Sequence, residues 1–178
     1  GLYEHYKTIA NNVKIPLILY TVPGRTAVEI PVDVVKELAE IDNIVGIKDA
    51  TGNLAYTAAI KHAVPKDFAV YSGNDEVVVP LMSLGGNGVI SVFANALPLE
   101  MHNMVQACLD GDFKTAGEMQ VKYLPLIKAM FAEVNPVPIK SAMELLGLPA
   151  GGLRLPLTRA SEATVELLRK ELTALNLL

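Results

Sequence analysis

Lys48 closes the apolar run Ile44-Val45-Gly46-Ile47-Lys48, a setting in which an ammonium ion is costly to bury. Burial lowers the pKa of an amine, and the neutral form is the one that attacks a carbonyl to make an imine. Lys48 is therefore a candidate Schiff-base nucleophile. The same spacing suits equally well a lysine that snorkels to water or pairs with the adjacent Asp49. Tyr20 ends another apolar run, Ile15-Pro16-Leu17-Ile18-Leu19-Tyr20. Its phenol could relay protons in the same mouth, or its ring could simply plug it. Arg25 lies in Pro23-Gly24-Arg25-Thr26, read as a loop that Pro23 stiffens and Gly24 loosens. A guanidinium there can clamp a carboxylate through two parallel hydrogen bonds, although a lone loop arginine is more often a surface charge.

Other chemistries find no support. His5, His62 and His102 are far apart on helical stretches and lack metal-ligand spacing. They read as surface or packing residues, and Cys108 as part of a helical core. There is no GxSxG elbow and no GxxxxGK[ST] phosphate loop. The cluster Gly85-Gly86-Asn87-Gly88 follows a helix and precedes a strand, the wrong end for phosphate, so it is read as a structural turn. Asp110-Gly111-Asp112 reads as a turn that ends a helix.

The elements that must hold Lys48 and Tyr20 alternate along the chain. Apolar runs begin near positions 16, 44, 68 and 88, and none alternates apolar with polar. Such runs suit parallel strands covered on both faces. Helical patterns lie between them, one opened by Pro31, then Asn53 to Val64, Asp75 to Leu84 and Leu97 to Leu109. From Phe113 onward only helices are expected, punctuated by Asn135-Pro136-Val137-Pro138 and Ala150-Gly151-Gly152. Four β/α units are half of an eight-stranded barrel, which takes about 250 residues. The expected fold is α/β, with residues 1–111 as the second half of a (β/α)8 barrel and 112–178 as a helical extension. Barrel enzymes carry their reactive groups at the carboxyl ends of strands, where Tyr20 and Lys48 fall.

The bulk properties agree with a packed enzyme-like domain. Of 178 residues, 51% are hydrophobic and 19% charged, which excludes a disordered chain. The net charge of −4 offers no electrostatic reason for nucleic acid or an anionic membrane as partner. A single cysteine excludes an internal disulfide and points to a reducing, cytoplasmic setting. No apolar run approaches the roughly 20 residues that span a bilayer. The chain starts with Gly1 and runs straight into an amphipathic helical pattern, as if in the middle of something.

Six segments together resemble the dihydrodipicolinate synthases, of the pyruvate-dependent class I aldolase-like family that also contains N-acetylneuraminate lyase. They are Leu19-Tyr20-Thr21-Val22-Pro23-Gly24-Arg25-Thr26, Gly46-Ile47-Lys48-Asp49-Ala50-Thr51-Gly52, Ser72-Gly73-Asn74-Asp75, Gly86-Asn87-Gly88-Val89-Ile90-Ser91-Val92, Asn135-Pro136-Val137-Pro138-Ile139-Lys140 and Leu153-Arg154-Leu155-Pro156-Leu157-Thr158. The resemblance covers essentially the whole chain. It implies strands five to eight of the barrel, with Lys48 as the Schiff-base lysine and Tyr20 as the proton-shuttling tyrosine. Arg25 is implied to hold the aldehyde's carboxylate, with Gly73, Ile90 and Thr51 also assigned to substrate binding. The implied reaction condenses pyruvate with L-aspartate 4-semialdehyde on the way to diaminopimelate and lysine, with no metal or organic cofactor and in a homo-oligomer. Thr21 departs from the Asn common after that tyrosine. Four preceding β/α units of the family, which carry two relay threonines and a tyrosine reaching a neighbouring subunit, have no counterpart in the sequence. A related aldolase, such as an N-acetylneuraminate lyase or a 2-keto-3-deoxy sugar acid aldolase, is the nearest alternative, against which the Pro-Gly-Arg-Thr loop argues. A half-barrel acting only by self-association is an alternative of another class.

Overall fold

A computed structural model describes all 178 residues, Gly1–Leu178. They group into two compact units, Gly1–Ile90 and Ser91–Leu178.

The first unit alternates helices and strands: α1 (Leu2–Asn12), β1 (Leu17–Thr21), α2 (Pro23–Thr26), α3 (Val32–Leu38), β2 (Ile44–Asp49), α4 (Leu54–Ala63), β3 (Ala69–Ser72), a 3-10 turn at Asp75–Val77, α5 (Val78–Ser83) and β4 (Gly88–Val89). The four strands form one parallel sheet in sequential order, β1-β2-β3-β4. The α/β class with a parallel sheet is as expected. The register sets Tyr20 beside Lys48 and Lys48 beside Tyr71, with Gly88 next in line. One residue further along, Thr21, Asp49, Ser72 and Val89 form the next row. Because side chains alternate along a strand, these two rows point to opposite faces.

One face is the core. Leu19, Ile47 and Val70 pack there with Val35 and Leu38 of α3, Tyr56 and Ile60 of α4, and Leu81 of α5, all nearly inaccessible. On the other face, Ile18, Tyr20 and Ile90 are each more than 40% exposed. Continuous apolar character therefore reports an apolar second face, without reporting what covers it.

Two elements differ from their sequence-based expectation for local reasons. The helix expected over Asp75 to Leu84 breaks into the 3-10 turn and α5. Pro80 has no N–H, so a helix continuous from Asp75 would lose an interior hydrogen bond. Restarting at Val78 puts Pro80 in the first turn, where no such bond is needed. The strand expected over Gly88 to Val92 is two residues long, although Ile90 N–H still donates to the Ser72 carbonyl at 2.9 Å. Gly85-Gly86-Asn87-Gly88 is the structural turn expected. A methyl on Gly86 would overlap Leu81, and Asn87 pairs with Val70 through both backbone and side chain.

The second unit is helical: a 3-10 turn at Phe93–Asn95, then α6 (Pro98–Leu109), α7 (Phe113–Ala129), α8 (Val137–Leu145) and α9 (Glu162–Ala174). Met104, Leu126, Ile127, Leu168 and Leu172 are among its inaccessible apolar side chains. Asp110-Gly111-Asp112 ends one helix and begins the next, with Gly111 at φ +80° and Asp112 capping α7 through Thr115 N–H at 3.0 Å. Cys108 is buried in α6. Lys140 pins Ala150-Gly151-Gly152 by donating to the carbonyls of Ala150 (2.6 Å) and Gly152 (2.9 Å). No helix is long and apolar enough to cross a membrane.

Within the sheet, β2 and β3 approach so closely at Gly46 that an added Cβ would lie 2.6 Å from the Ala69 carbonyl oxygen. Backbone cannot yield as a side-chain tip can. Gly46→Ala is expected to destabilise the protein by about 1–3 kcal/mol, read as a lower urea midpoint at unchanged m-value.

Candidate active site

The carboxyl ends of β1, β2 and β3 are turned by hydrogen bonds made on the buried face. Thr21, 1% exposed, accepts from Ile30 N–H at 3.2 Å, while Tyr56 donates its phenol to the Ile30 carbonyl at 2.7 Å. Burial and the nearby charges of Asp49 and Glu29 push the Tyr56 phenol well above its ordinary range, so it stays a neutral donor. Asp49 Oδ1 accepts from the Thr51 N–H (2.9 Å) and hydroxyl (2.6 Å), and Oδ2 accepts from the Thr57 hydroxyl (2.6 Å). Ser72 donates to the Asn74 carbonyl (2.7 Å) and accepts from Asn74 N–H (3.2 Å), while Asn74 Oδ1 caps the following turn at Glu76 N–H (2.9 Å).

These bonds remove one reading of Lys48, the ion pair with its neighbour. Asp49 faces away from it and is occupied by Thr51 and Thr57, so the Lys48–Asp49 ion pair does not form. Lys48 instead extends on the open face, its Nζ 4.3 Å from the centroid of the Tyr20 ring. It is half-buried, not enclosed as its apolar surroundings in sequence suggested. The stem lies against Gly73, where an added Cβ would come within 3.0 Å of Lys48 Cε and 2.8 Å of Ala50 Cβ. Desolvation lowers the Lys48 pKa below the ordinary lysine range, and the buried Asp75 carboxylate opposes that shift without reversing it. The result is an amine more often neutral than usual, within reach of solvent and backed by a phenol.

The structure therefore joins Lys48, Tyr20 and Gly73 by direct contact. Thr51 is at the same strand end, but its hydroxyl serves Asp49 and Asn53 N–H (3.1 Å). Arg25 is exposed on α2, just past β1. Its segment is one turn of helix instead of the expected loop, because Pro23 occupies the first position and Ala27, at φ 56°, ends it. Ile90 lies just past β4, 42% exposed. Sequence reasoning gave no role to Asp75 or Tyr71. The signal for Tyr71 was its place two residues before Gly73, the parity that puts it on the face of Lys48. His5, His62 and His102 are exposed, and no group of three or more His, Cys, Asp or Glu is placed to hold a metal.

The fold is a parallel α/β sheet with a partly desolvated lysine at the carboxyl end of its second strand. The dihydrodipicolinate synthetase family model matches residues 1–175, and the chain belongs to that family. It is 51% identical over 172 residues to the 4-hydroxy-tetrahydrodipicolinate synthase of Acetivibrio thermocellus, covering 97% of this chain and 58% of that protein. It is 49% identical over 179 residues to the enzyme of that name from Methanosarcina mazei, covering 100% of this chain and 62% of that protein. Among solved structures it resembles the chloride-inhibited dihydrodipicolinate synthase from Acinetobacter baumannii complexed with pyruvate, with TM-score 0.96 and 45% identity, covering 100% of this chain and 61% of that one. The chain thus spans about three-fifths of the length of the relatives it matches.

Contact between Gly73 and the lysine stem gives a direct test. In Gly73→Ala, Ala50 cannot retreat, so the stem of Lys48 must move. Borohydride trapping of a small aldehyde or ketone on Lys48 is expected to fall by about tenfold or more, since misplacement by an ångström can cost a hundredfold. Peptide mapping should find trapping elsewhere unchanged.

Proposed function

We propose that this chain carries the Schiff-base half of a 4-hydroxy-tetrahydrodipicolinate synthase site, with Lys48 and Tyr20 as catalytic residues. The observation that carries the reading is the desolvated Lys48 amine held 4.3 Å from the Tyr20 ring at the carboxyl end of a parallel sheet. Neutral Nζ attacks the keto carbon of pyruvate and forms the C–N bond. The keto oxygen leaves as water, with one proton from the amine and one supplied through Tyr20, and nitrogen retains one proton and the positive charge. The iminium draws electrons from the methyl group, which loses a proton to become an enamine. The enamine carbon attacks the aldehyde of L-aspartate 4-semialdehyde, whose carboxylate Arg25 holds. The new alkoxide is protonated, the substrate's own amine closes onto the iminium carbon, and Lys48 is released.

Gly73 and Ile90 contribute backbone to the substrate's surroundings, and Thr51 sets the loop between Lys48 and α4. No step calls for a metal or an organic cofactor. The sheet itself is read as strands five to eight of a (β/α)8 barrel. Residues 1–111 then form the carboxy-terminal half of the barrel and 112–178 its helical extension. Sequential parallel order and the shared three-fifths of the relatives' length support that reading. The exposed Ile18, Tyr20 and Ile90 on a sheet with edges at β1 and β4 favour association with further copies as a homo-oligomer.

Incubation with pyruvate and borohydride, followed by peptide mapping, tests the chemistry. A reduced pyruvyl group on Lys48 is expected, and none in Lys48→Ala. An adduct confined to other lysines, or no adduct, would sink the proposal. Because the amine's pKa is lowered and the neutral form reacts, trapping rises with pH and levels off below about 10.4, where an ordinary lysine would still be rising. Arg25→Ala is expected to raise KM for the aldehyde by about ten- to a hundredfold while leaving pyruvate trapping intact.

A further inference from the structure

We propose that Tyr56 is a positioning residue for Arg25: its phenol and the Thr21 hydroxyl together clamp the backbone of Ile30, and so seat the segment that presents the guanidinium. This role rests on the reading of Arg25 as the group that holds the aldehyde's carboxylate, and it adds a residue with no part in that reading.

The segment runs from Thr21, the last residue of β1, to Ile30, and carries Arg25 near its middle. Thr21 and Ile30 are 1% and 3% exposed, whereas Gly24 to Glu29 are all exposed. Its two ends are therefore buried posts. The Thr21 hydroxyl oxygen accepts from Ile30 N–H at 3.2 Å, tying one post to the other. Tyr56, 6% exposed, donates its phenol to the Ile30 carbonyl at 2.7 Å. Both polar backbone groups of Ile30 are thus engaged by side chains. Between the posts the bonds are short-range. Arg25 and Thr26 donate their N–H groups to the Val22 carbonyl at 2.9 and 3.1 Å, and Ala27 N–H donates to the Pro23 carbonyl at 2.9 Å. The Thr26 hydroxyl donates to the Val28 carbonyl at 2.9 Å. These bonds shape the turn that bears Arg25, and the posts decide where that turn sits.

Both clamping side chains are anchored to the strand that bears Lys48. Thr21 pairs with Asp49 of β2, and its carbonyl accepts from Ala50 N–H at 3.0 Å. Tyr56 lies in the first turn of α4, which Asn53 caps through the N–H groups of Ala55 (3.0 Å) and Tyr56 (3.3 Å). The next residue, Thr57, donates to Asp49 Oδ2 at 2.6 Å. Ile30 is joined to this frame through side chains that can be changed one at a time. Without the phenol, the buried Ile30 carbonyl loses a donor, and an unpaired buried carbonyl is strongly disfavoured. The soft response is a shift of the segment towards water, because the frame cannot follow without breaking the sheet. Such a shift moves Arg25 relative to Lys48 and leaves Lys48 in place. A two-point hold on a carboxylate is sensitive to that displacement, whereas attack on a ketone at Lys48 is not.

Tyr56→Phe removes the donor and keeps the ring. Amide hydrogen exchange of the intact protein is expected to quicken about tenfold or more at Arg25, Thr26, Ala27 and Ile30, while Leu19, Ile47 and Val70 keep their wild-type rates. Phenylglyoxal modification of Arg25, read by peptide mapping, is expected to be slowed in the wild type by 4-oxobutanoate, an aldehyde bearing a carboxylate, and not by butanal. The half-protecting concentration is expected to rise about tenfold in Tyr56→Phe, with pyruvate trapping on Lys48 unchanged. A general loss of stability would not give that split. Exchange that is unchanged, or quickened equally in the sheet, overturns the clamp. A loosened segment with unchanged protection overturns its role in positioning Arg25. If 4-oxobutanoate fails to protect Arg25 in the wild type, the carboxylate-holding role falls, and local quickening in Tyr56→Phe still supports the clamp. Thr21→Val removes the other bond and is expected to give the same pattern, with Thr21→Ser behaving as wild type. If neither Tyr56→Phe nor Thr21→Val folds, the Ile30 amide of the wild type must exchange as slowly as the sheet amides, and one as fast as that of Val28 overturns the clamp.

Discussion

Parallel register is the constraint on which the site depends. With Tyr20, Lys48 and Tyr71 in one row and Thr21, Asp49 and Ser72 in the next, the sheet sorts neighbouring residues onto opposite faces. A slip of one residue in β2 would exchange Lys48 with Asp49. The amine would then enter the core and the carboxylate would face outward, reversing the chemistry. Nothing in the lysine itself prevents this. What fixes the register is the apolar row one step back, Leu19, Ile47 and Val70, sealed beneath α3, α4 and α5.

The polar row buried behind the site is the cost of that arrangement, and it is met in full by local partners. A carboxylate at 2% exposure, as in Asp49, would be strongly destabilising alone. Three hydrogen bonds from two threonines satisfy it, and those threonines lie on the loop and helix that follow β2. Thr21 and Ser72 do the same for the segments after β1 and β3. The side chains that satisfy the buried face are thereby the ones that shape the loops around the reactive face. This also gives a physical account of Thr21 itself: its hydroxyl belongs to the buried network, on the side of the strand away from Tyr20.

Much of this was legible in the chain. Apolar runs placed the four strands, helical spacing placed most of the helices, and Lys48 was singled out by its position at the end of a run. Spacing alone could not separate nucleophile from ion pair, because Lys48 and Asp49 are adjacent and only the pairing register says which face each takes. Asp75 was passed over for a similar reason. The sequence pattern reads it only as the start of a helix. Pro80 moves that helix onset to Val78 and leaves Asp75 in a tight turn, buried. An apolar run records what a face prefers and not what is packed on it.

Lys48 is half-buried in a chain that spans about three-fifths of its relatives' length. A fully enclosed amine would be neutral but unreachable, and a fully exposed one reachable but protonated. The structure takes a middle course by unequal treatment of the side chain. The stem lies against Gly73, where an added Cβ would crowd it, and the nitrogen lies over the face of an aromatic ring. That ring offers a weakly attractive surface to a cation and no strong acceptor, so it holds the nitrogen in place without tying up the lone pair of the neutral amine. Desolvation along the stem then lowers the pKa while the tip stays open to a small ketone.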